Sequence, residues 1–117
     1  EKIKELEKKN IQVSAMYIVG FPKDDANSIN KTIEYAKMLN TTYAQFSVWT
    51  PYPGTPIFET YKNKITKKSY QNFDQYSLVY KHDLFNEEQM KKFLEKSYTK
   101  YYLRLKWLFK YLKKNYI

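Results

Sequence analysis

The stretch TPYPGTP, residues 50–56, gathers loop-forming residues in a chain that has few of them. It holds three of the four prolines and one of the two glycines among 117 residues, and it directly follows the apolar and aromatic run YAQFSVW, residues 43–49. Proline fixes the backbone angle φ and removes an N–H donor, whereas glycine permits conformations that other residues avoid. The pattern therefore predicts a strand that ends in a rigid loop, which either forms the wall of a ligand site or only ends the strand.

Upstream of this loop, helical and strand-like patterns alternate. Residues 1–10 have apolar side chains at helical spacing and end on Asn10, which suits a left-handed helix end. Residues 11–20, IQVSAMYIVG, are rich in β-branched and apolar side chains and predict a buried parallel strand. A helix capped at Asp24 or Asp25 follows, and its apolar face consists of Ile29, Ile33, Ala36 and Leu39. With the strand in TTYAQFSVWT, this order predicts a βαβ unit of an α/β fold, preceded by a helix.

Two loops follow the two predicted strands at equivalent places, GFP at residues 20–22 and TPYPGTP at residues 50–56. The carboxyl ends of consecutive parallel strands meet at one edge of a sheet, where α/β proteins bind ligands, so we expect the two loops side by side. Strand side chains alternate between faces, so one face of the second strand carries Gln45, Ser47 and Trp49 and the other carries Phe46, Val48 and Thr50.

The last third of the chain predicts one basic amphipathic helix, residues 86–117, with Asn86 as its N-cap. Its apolar stripe consists of Leu94, Tyr98, Tyr101, Leu105, Leu108 and Leu112. From Lys96 onward it has six lysines, one arginine and no acidic residue. Such a helix packs on a protein flank with its lysines in water, lies on an anionic membrane, or contacts RNA, and nucleic acid is the partner the pattern favours least.

Composition limits the chemistry that the chain can perform by itself. The net charge is +9 and 19% of the residues are aromatic, which argues against a disordered chain. The sequence has no cysteine, and this excludes disulfides, thiolate nucleophiles and cysteine-held clusters made by these residues alone. The single histidine, His82, lies in the polar segment YKHDLF and is predicted to be an exposed loop residue. No apolar run approaches the length of about 20 residues that a membrane span needs.

Several of these segments together resemble the last third of a radical S-adenosylmethionine barrel, and most closely the group that often carries a cobalamin-binding domain upstream. Residues 17–59 supply that family's two strand ends and the helix between them, at Ile18, Gly20, Phe21, Pro22, Thr32, Ile33, Ala36 and the loop from Pro51 to Pro56. The segments NFDQYSLVYKHDLFNEEQM and YYLRLKWLFKYLKK are similar to its later Trp-x-x-Tyr-Asp region and its closing Phe-Tyr-x-Arg helix. The sequence departs from the family where Lys23, Asp24 and Asp25 replace Gly-Glu-Thr and where Phe73 replaces Trp.

The resemblance implies a fold and a division of the chain. The chain would be the C-terminal portion of a partial, TIM-like (β/α) barrel followed by a helical extension. Residues 1–62 would form the last βαβ part of the barrel, residues 63–85 a connecting segment and residues 86–117 the basic helix. Because Glu1 opens within a helical pattern, we expect a piece of a longer polypeptide, and the remainder of that polypeptide is the expected partner.

The resemblance also implies a function, namely reductive cleavage of S-adenosylmethionine to start radical chemistry on a small-molecule or lipid-like substrate. The residues implied to contact the cofactor are Ile18, Val19, Gly20, Phe21, Pro22, Gln45, Ser47, Pro53, Gly54 and Thr55. A 4Fe-4S cluster would be held by ligands outside this chain, and the use of cobalamin, also outside it, is left open. The alternative is a non-catalytic basic module that binds an anionic membrane or nucleic acid through its last helix. The expected location is the cytoplasm, with peripheral membrane contact as an option.

Overall fold

A computed structural model describes residues 1–116 of the chain. It contains five α-helices and two β-strands, with two short 3₁₀ turns between the third and fourth helices. In chain order the elements are α1 (Lys2–Lys8), β1 (Ser14–Val19), α2 (Ala26–Leu39), β2 (Tyr43–Val48), α3 (Pro56–Tyr61), α4 (Glu87–Tyr102) and α5 (Leu105–Tyr116).

The two strands pair in parallel, with Tyr17 opposite Phe46 and Val19 opposite Val48, and α2 makes the crossover between them. The predicted βαβ unit and the helix before it are therefore confirmed. The architecture is a partial α/β fold, and its membership of a partial TIM-like barrel stays a prediction.

The helix ends follow the capping residues expected from the sequence. The Asp25 side chain accepts a hydrogen bond from the Ser28 N–H at 2.7 Å and begins α2. Asn10 adopts a left-handed conformation after α1, with φ of 65°. Asn86 and Gln89 exchange side-chain and backbone hydrogen bonds at the start of α4, which is a capping box.

The hydrophobic core lies on one face of the two-stranded sheet, between the strands and the helices α2 and α4. The sheet contributes Tyr17, Val19, Ala44, Phe46 and Val48, and the helices contribute Ile29, Ile33, Ala36, Met90, Leu94 and Tyr101. Burial of each large apolar side chain contributes about 1.5–3 kcal/mol, so this layer is the main source of stability.

The face of the sheet opposite the core is exposed to solvent at β1. Met16 is 67% exposed and Ile18 is 48% exposed, and they lie opposite Gln45 and Ser47. The prediction that β1 is a buried strand is therefore wrong for one of its two faces. Side chains alternate along a strand, and the helices of the described chain cover only the face that carries Tyr17.

The outer edge of β2 is closed by side chains of α4 and by one loop. The Tyr98 hydroxyl accepts from the Phe46 N–H at 3.1 Å and donates to the Phe46 carbonyl at 3.0 Å. Tyr102 makes the same pair of bonds with Ala44, at 2.9 and 2.7 Å. Further along, the Val48 N–H donates to the Gln75 carbonyl at 2.7 Å. No further strand can pair on this side, because its backbone groups are already satisfied.

The outer edge of β1 differs from that of β2. The Val13 and Val19 carbonyls accept hydrogen bonds from the N–H groups of Tyr43 and Trp49, at 3.0 and 2.8 Å. Since backbone groups alternate in direction along a strand, those of Ser14, Met16 and Ile18 point away from β2. This edge is positioned to pair with another strand.

The predicted single helix over residues 86–117 is two helices, and Ile117 lies outside the described residues. Leu103 leaves the helical conformation, with ψ of 36°. The Arg104 guanidinium then donates to the Tyr101 carbonyl at 2.6 Å, to the Lys37 carbonyl at 2.9 Å and to Asn40 Oδ1 at 3.0 Å. The break therefore lets Arg104 close the carboxyl end of α2, which a straight helix would not do.

Candidate functional site

The carboxyl ends of β1 and β2 meet at a shallow aromatic groove. The ring centroids of Phe21 and Trp49 are 6.1 Å apart, and those of Trp49 and Tyr61 are 5.2 Å apart. The groove has a volume of about 390 Å³ and is lined by Phe21, Pro22, Lys23, Trp49, Ile57 and Tyr61. Phe21 and Pro22, which follow β1, therefore lie beside Trp49, which follows β2, and contact of residues 20–22 with residues 50–56 stays a prediction.

The turn that follows β1 has a defined backbone conformation. Gly20 has a φ of +80°, and a Cβ at this position would lie 3.0 Å from the Met90 side chain. The N–H groups of Gly20 and Phe21 both donate to Asp24 Oδ2 at 2.9 Å. Asp25 is the helix cap, so Asp24 is free to act as the acceptor that shapes this turn. Glycine is required here by both its conformation and its close contact.

Two side chains from the segment before α4 hold the carbonyl groups of the same turn. The Tyr80 hydroxyl donates to the Gly20 carbonyl at 2.8 Å, and burial raises the pKa of this hydroxyl above its ordinary value. His82 Nε2 lies 2.9 Å from the Phe21 carbonyl. His82 Nδ1 accepts from the N–H groups of Leu84 and Phe85, at 3.0 and 3.3 Å.

This pattern assigns the tautomer of His82. Because Nδ1 accepts two hydrogen bonds, the proton of the neutral ring lies on Nε2, which donates to the Phe21 carbonyl. His82 is only 6% exposed, so the prediction of an exposed loop residue is wrong. The residue is buried because its two nitrogens connect the turn after β1 to the start of α4.

The TPYPGTP loop contains a tight turn that leads into α3. The Thr55 N–H donates to the Tyr52 carbonyl at 3.2 Å, and Gly54 has a φ of +85°, as expected for a type II turn with Pro53 before glycine. Thr55 is the N-cap of α3, and Pro56 is its first residue. The turn does not line the groove itself; it positions α3, which contributes Ile57 and Tyr61.

Gln45 and Ser47 of β2 lie on the face of the sheet opposite the core, as the alternation predicted, and Ser47 is buried there. Gln45 Nε2 donates to the Tyr76 hydroxyl at 3.2 Å, and Ser47 Oγ donates to the Tyr17 carbonyl at 3.4 Å. The segment that carries Tyr76 is bent by Asp74, whose carboxylate accepts from the N–H groups of Tyr76 and Ser77 at 2.9 Å. Contact of Gln45 and Ser47 with a cofactor stays a prediction.

Ile18 and Val19, which were both predicted to contact the cofactor, differ in the direction of their backbone groups. The Val19 carbonyl accepts from Trp49 and is used by the sheet. The backbone groups of Ile18 point to the outer edge and are not engaged by β2. The backbone groups of Ile18, unlike those of Val19, are therefore not used by the two-stranded sheet, and their contact with a ligand stays a prediction.

The sequence pattern did not point to Trp49, Ile57 and Tyr61, which line the groove, nor to Tyr80 and His82, which hold the turn beside it. For the last two a signal exists in the sequence, because Leu78, Tyr80 and His82 alternate as in an extended segment with one buried face. In residues 1–116 no group of three or more His, Cys, Asp or Glu side chains is arranged to bind a metal ion.

The chain is similar in sequence to proteins named as methyltransferases and as a methylthio-adenosine synthase. No protein family profile matches the chain. It is 34% identical over 110 residues to an uncharacterised methyltransferase of Pyrococcus horikoshii, which is 92% of this chain and 24% of that protein. It is 28% identical over 78 residues to bacteriochlorophyllide d C-12(1)-methyltransferase of Chlorobaculum tepidum, which is 67% of this chain and 17% of that enzyme.

A third relative is the tRNA-2-methylthio-N(6)-dimethylallyladenosine synthase of Buchnera aphidicola subsp. Schizaphis graminum. It is 38% identical over 58 residues, which is 50% of this chain and 13% of that enzyme. The chain spans a quarter or less of each of these relatives. The match to the methylthio-adenosine synthase, over half of this chain, gives partial support to the resemblance to radical S-adenosylmethionine enzymes. Their names do not mention cobalamin, and its use stays a prediction.

Proposed function

We propose that this chain is part of a radical S-adenosylmethionine enzyme and forms one wall of its adenosyl site. The observation that carries the proposal is the groove at the carboxyl ends of two parallel strands, in which Phe21, Trp49 and Tyr61 present aromatic rings. Ligands of α/β proteins bind at this edge of the sheet. Methyl or methylthio transfer in the names of the relatives supports the same ligand.

The groove fits the adenosyl part of the cofactor in two respects. Its aromatic and apolar lining suits the faces of an adenine ring, and aromatic pairing contributes about 0.5–1.5 kcal/mol beyond burial. The open edge of β1 offers the backbone groups of Ile18 for the polar edge of the base. In this proposal Asp24, Tyr80 and His82 keep the Gly20–Pro22 turn in place while the ligand binds.

Cleavage of S-adenosylmethionine needs a cofactor that this chain does not hold by itself, whereas the residues of this chain would position the adenosyl group. A reduced 4Fe-4S cluster, held by residues outside this chain, would supply the electron for cleavage of the sulfonium. The residues of this chain orient the adenosyl group and cover one side of it. We propose that the remainder of the polypeptide pairs with the open edge of β1 and covers Met16 and Ile18, because an unpaired edge beside exposed apolar residues is costly in water.

The proposal leaves the substrate as a small or lipid-like molecule. The names of the relatives specify a bacteriochlorophyllide in one case and a tRNA nucleoside in another, so one similar fold portion serves different substrates. Residues that differ within this portion or lie outside it would therefore set the substrate.

The direct test uses the polypeptide that carries this chain at its natural length, prepared without oxygen and with its cluster reduced. We expect formation of 5′-deoxyadenosine and methionine from S-adenosylmethionine. Phe21→Ser should reduce this cleavage about tenfold, because the Phe21 ring lines the groove. Leu84→Ser is the control, since Leu84 is an exposed apolar residue outside the groove. Absence of cleavage in the natural protein, or equal loss in both variants, would refute the proposal.

A further inference from the structure

An apolar stripe on α5 faces outward. Within the described chain, no residue of this helix is buried, and its exposed apolar side chains are Leu105, Leu108, Phe109, Leu112 and Tyr116. At 100° per residue these five positions fall within about 100° of the helix circumference. They therefore form one continuous surface rather than scattered exposed residues.

The opposite side of α5 provides its attachment to the protein. The Trp107 indole N–H donates to the Thr42 carbonyl at 3.0 Å, and the Trp107 ring packs edge-on against Tyr102 at 4.7 Å between centroids. Tyr111 stacks on Trp107 at 5.1 Å. Lys110 pairs with Glu7 of α1. Because this side is fixed, the leucine stripe cannot turn inward without breaking these contacts.

This arrangement reverses the packing expected from the sequence. The stripe that was predicted to run unbroken along one helix is divided at Leu103. Its first half, on α4, packs against β2, and its second half, on α5, faces outward. The inner surface of α5 is aromatic, and the leucines remain outside.

The charge around the stripe identifies the kind of partner. The charged residues of α5 are four lysines, with no acidic residue. Lys106 and Lys113 lie beside the stripe on the helix circumference, and both are exposed. An apolar helix face with lysines along its border is complementary to an anionic lipid surface, which buries the leucines and pairs with the lysines. A protein partner would need a matching acidic rim, and a second copy of this basic chain has none on α5.

We propose that α5 is a peripheral binding surface for anionic membranes. Within residues 1–116, no helix is both long enough and apolar enough to pass through a bilayer, so the contact would be with the surface. The helix packs on the segment that enters β2, at the amino end of the sheet. Membrane binding would thus occur at the end opposite the aromatic groove. This inference does not depend on the proposed enzymatic function.

The experiment is sedimentation of the natural-length polypeptide with vesicles of neutral phosphatidylcholine, with and without 30% phosphatidylserine by mole as the probe composition, at about physiological salt. We expect binding only to the anionic vesicles. Phe109→Ser with Leu112→Ser should weaken it at least about tenfold, because each removes a side chain that would enter the lipid. Phe109 is 68% exposed, so the change should not impair folding.

Charge-reversal variants test whether the lysines beside the stripe are needed for vesicle binding. Lys106→Glu with Lys113→Glu should weaken binding by about tenfold or more, whereas Lys31→Glu with Lys68→Glu, away from α5, should have less than about a threefold effect. Equal binding to both vesicle types, or no effect of the α5 variants, would overturn the proposal. So would a dimer that Phe109→Ser dissociates, since a second copy of the protein would then cover the stripe.

Discussion

The two ends of the small sheet are built in different ways. At the amino end, the Glu7 carboxylate accepts from the Thr42 N–H at 2.6 Å and the Thr42 hydroxyl at 2.8 Å, and it also pairs with Lys110. Arg104 and Tyr101 bind neighbouring backbone groups. At the carboxyl end, the polar side chains fix only the backbone of one turn, and the aromatic rings beside it stay accessible.

The difference indicates that the amino end of the sheet stabilises the fold, whereas the carboxyl end leaves a surface for a ligand. Polar groups at the amino end form hydrogen bonds within the chain. These bonds connect α1, α2, α4 and α5 to one another and to the start of β2. At the carboxyl end, Asp24, Tyr80 and His82 hold the backbone from behind and leave Phe21 facing the groove. Rigid support beneath an open surface is what a preorganised ligand site needs.

The largest effect is expected from Gly20→Ala. The methyl group would meet the Met90 side chain at 3.0 Å in a backbone conformation that alanine disfavours, which together cost about 2–4 kcal/mol. Gly54→Ala is the matched control. Gly54 has a similar φ, but no atom lies within 4 Å of the added carbon, so the cost should be about 1 kcal/mol. Urea unfolding of both variants measures the difference, and equal costs would show that crowding at Gly20 is unimportant.

The second prediction concerns His82 and uses two amides that replace different ring nitrogens. His82→Gln keeps a donor near the position of Nε2, and His82→Asn keeps an acceptor near the position of Nδ1. Both should lower the unfolding free energy by about 1–3 kcal/mol. Only His82→Asn should also weaken S-adenosylmethionine binding by the natural-length protein, because it frees the Phe21 carbonyl. If affinity followed stability in both variants, His82 would have only a structural role.

The third prediction concerns Glu7, at the amino end of the sheet, and the change in unfolding free energy as the pH is lowered. Burial alone would raise the pKa of Glu7, but the hydrogen bonds from Lys110 and Thr42 outweigh it and hold the pKa below the ordinary value of 4.5. The stabilising contribution is therefore present above that value and is lost as the pH falls through the lower value of the folded state. Between about pH 5 and about pH 3, the natural chain should lose more unfolding free energy than Glu7→Gln. Parallel curves would contradict this assignment.

The smallest effect is expected from Tyr17→Phe. The Tyr17 hydroxyl is buried without a hydrogen-bond partner among the described residues, and burial raises its pKa to about 12. Its removal should stabilise the chain by about 0.5–1.5 kcal/mol. Tyr101→Phe is the contrasting variant, since the Tyr101 hydroxyl donates to the Thr41 carbonyl at 2.6 Å, and it should destabilise the chain. Thermal unfolding measures both, and destabilisation by Tyr17→Phe would reveal a partner for that hydroxyl.

The local elements could be predicted from the sequence because their signals are local. Periodicity identified both strands and α2. Short-range capping identified Asn10 and Asn86 and narrowed the cap of α2 to Asp24 or Asp25, of which the structure has Asp25. The rigid loop at residues 50–56 also follows from proline and glycine alone.

The contacts that close the site could not be predicted in this way. His82 is buried by a bond to Phe21, 61 residues earlier, and periodicity carries no information on such a pair. The break at Leu103 has no glycine or proline to mark it and depends on Arg104 reaching α2. The exposed leucines of α5 look like core residues in a helical pattern, because hydrophobic periodicity does not tell which face has a partner.

Calorimetry can locate the adenosyl site by comparing the binding of S-adenosylmethionine to the natural-length polypeptide and to two serine variants at opposite ends of the sheet. We expect that Phe21→Ser, at the groove, weakens binding at least about fivefold and that Phe109→Ser, on α5, leaves it unchanged. Unchanged affinity in Phe21→Ser, or equal weakening in both, would contradict the assignment of the adenosyl site to the carboxyl end of the sheet.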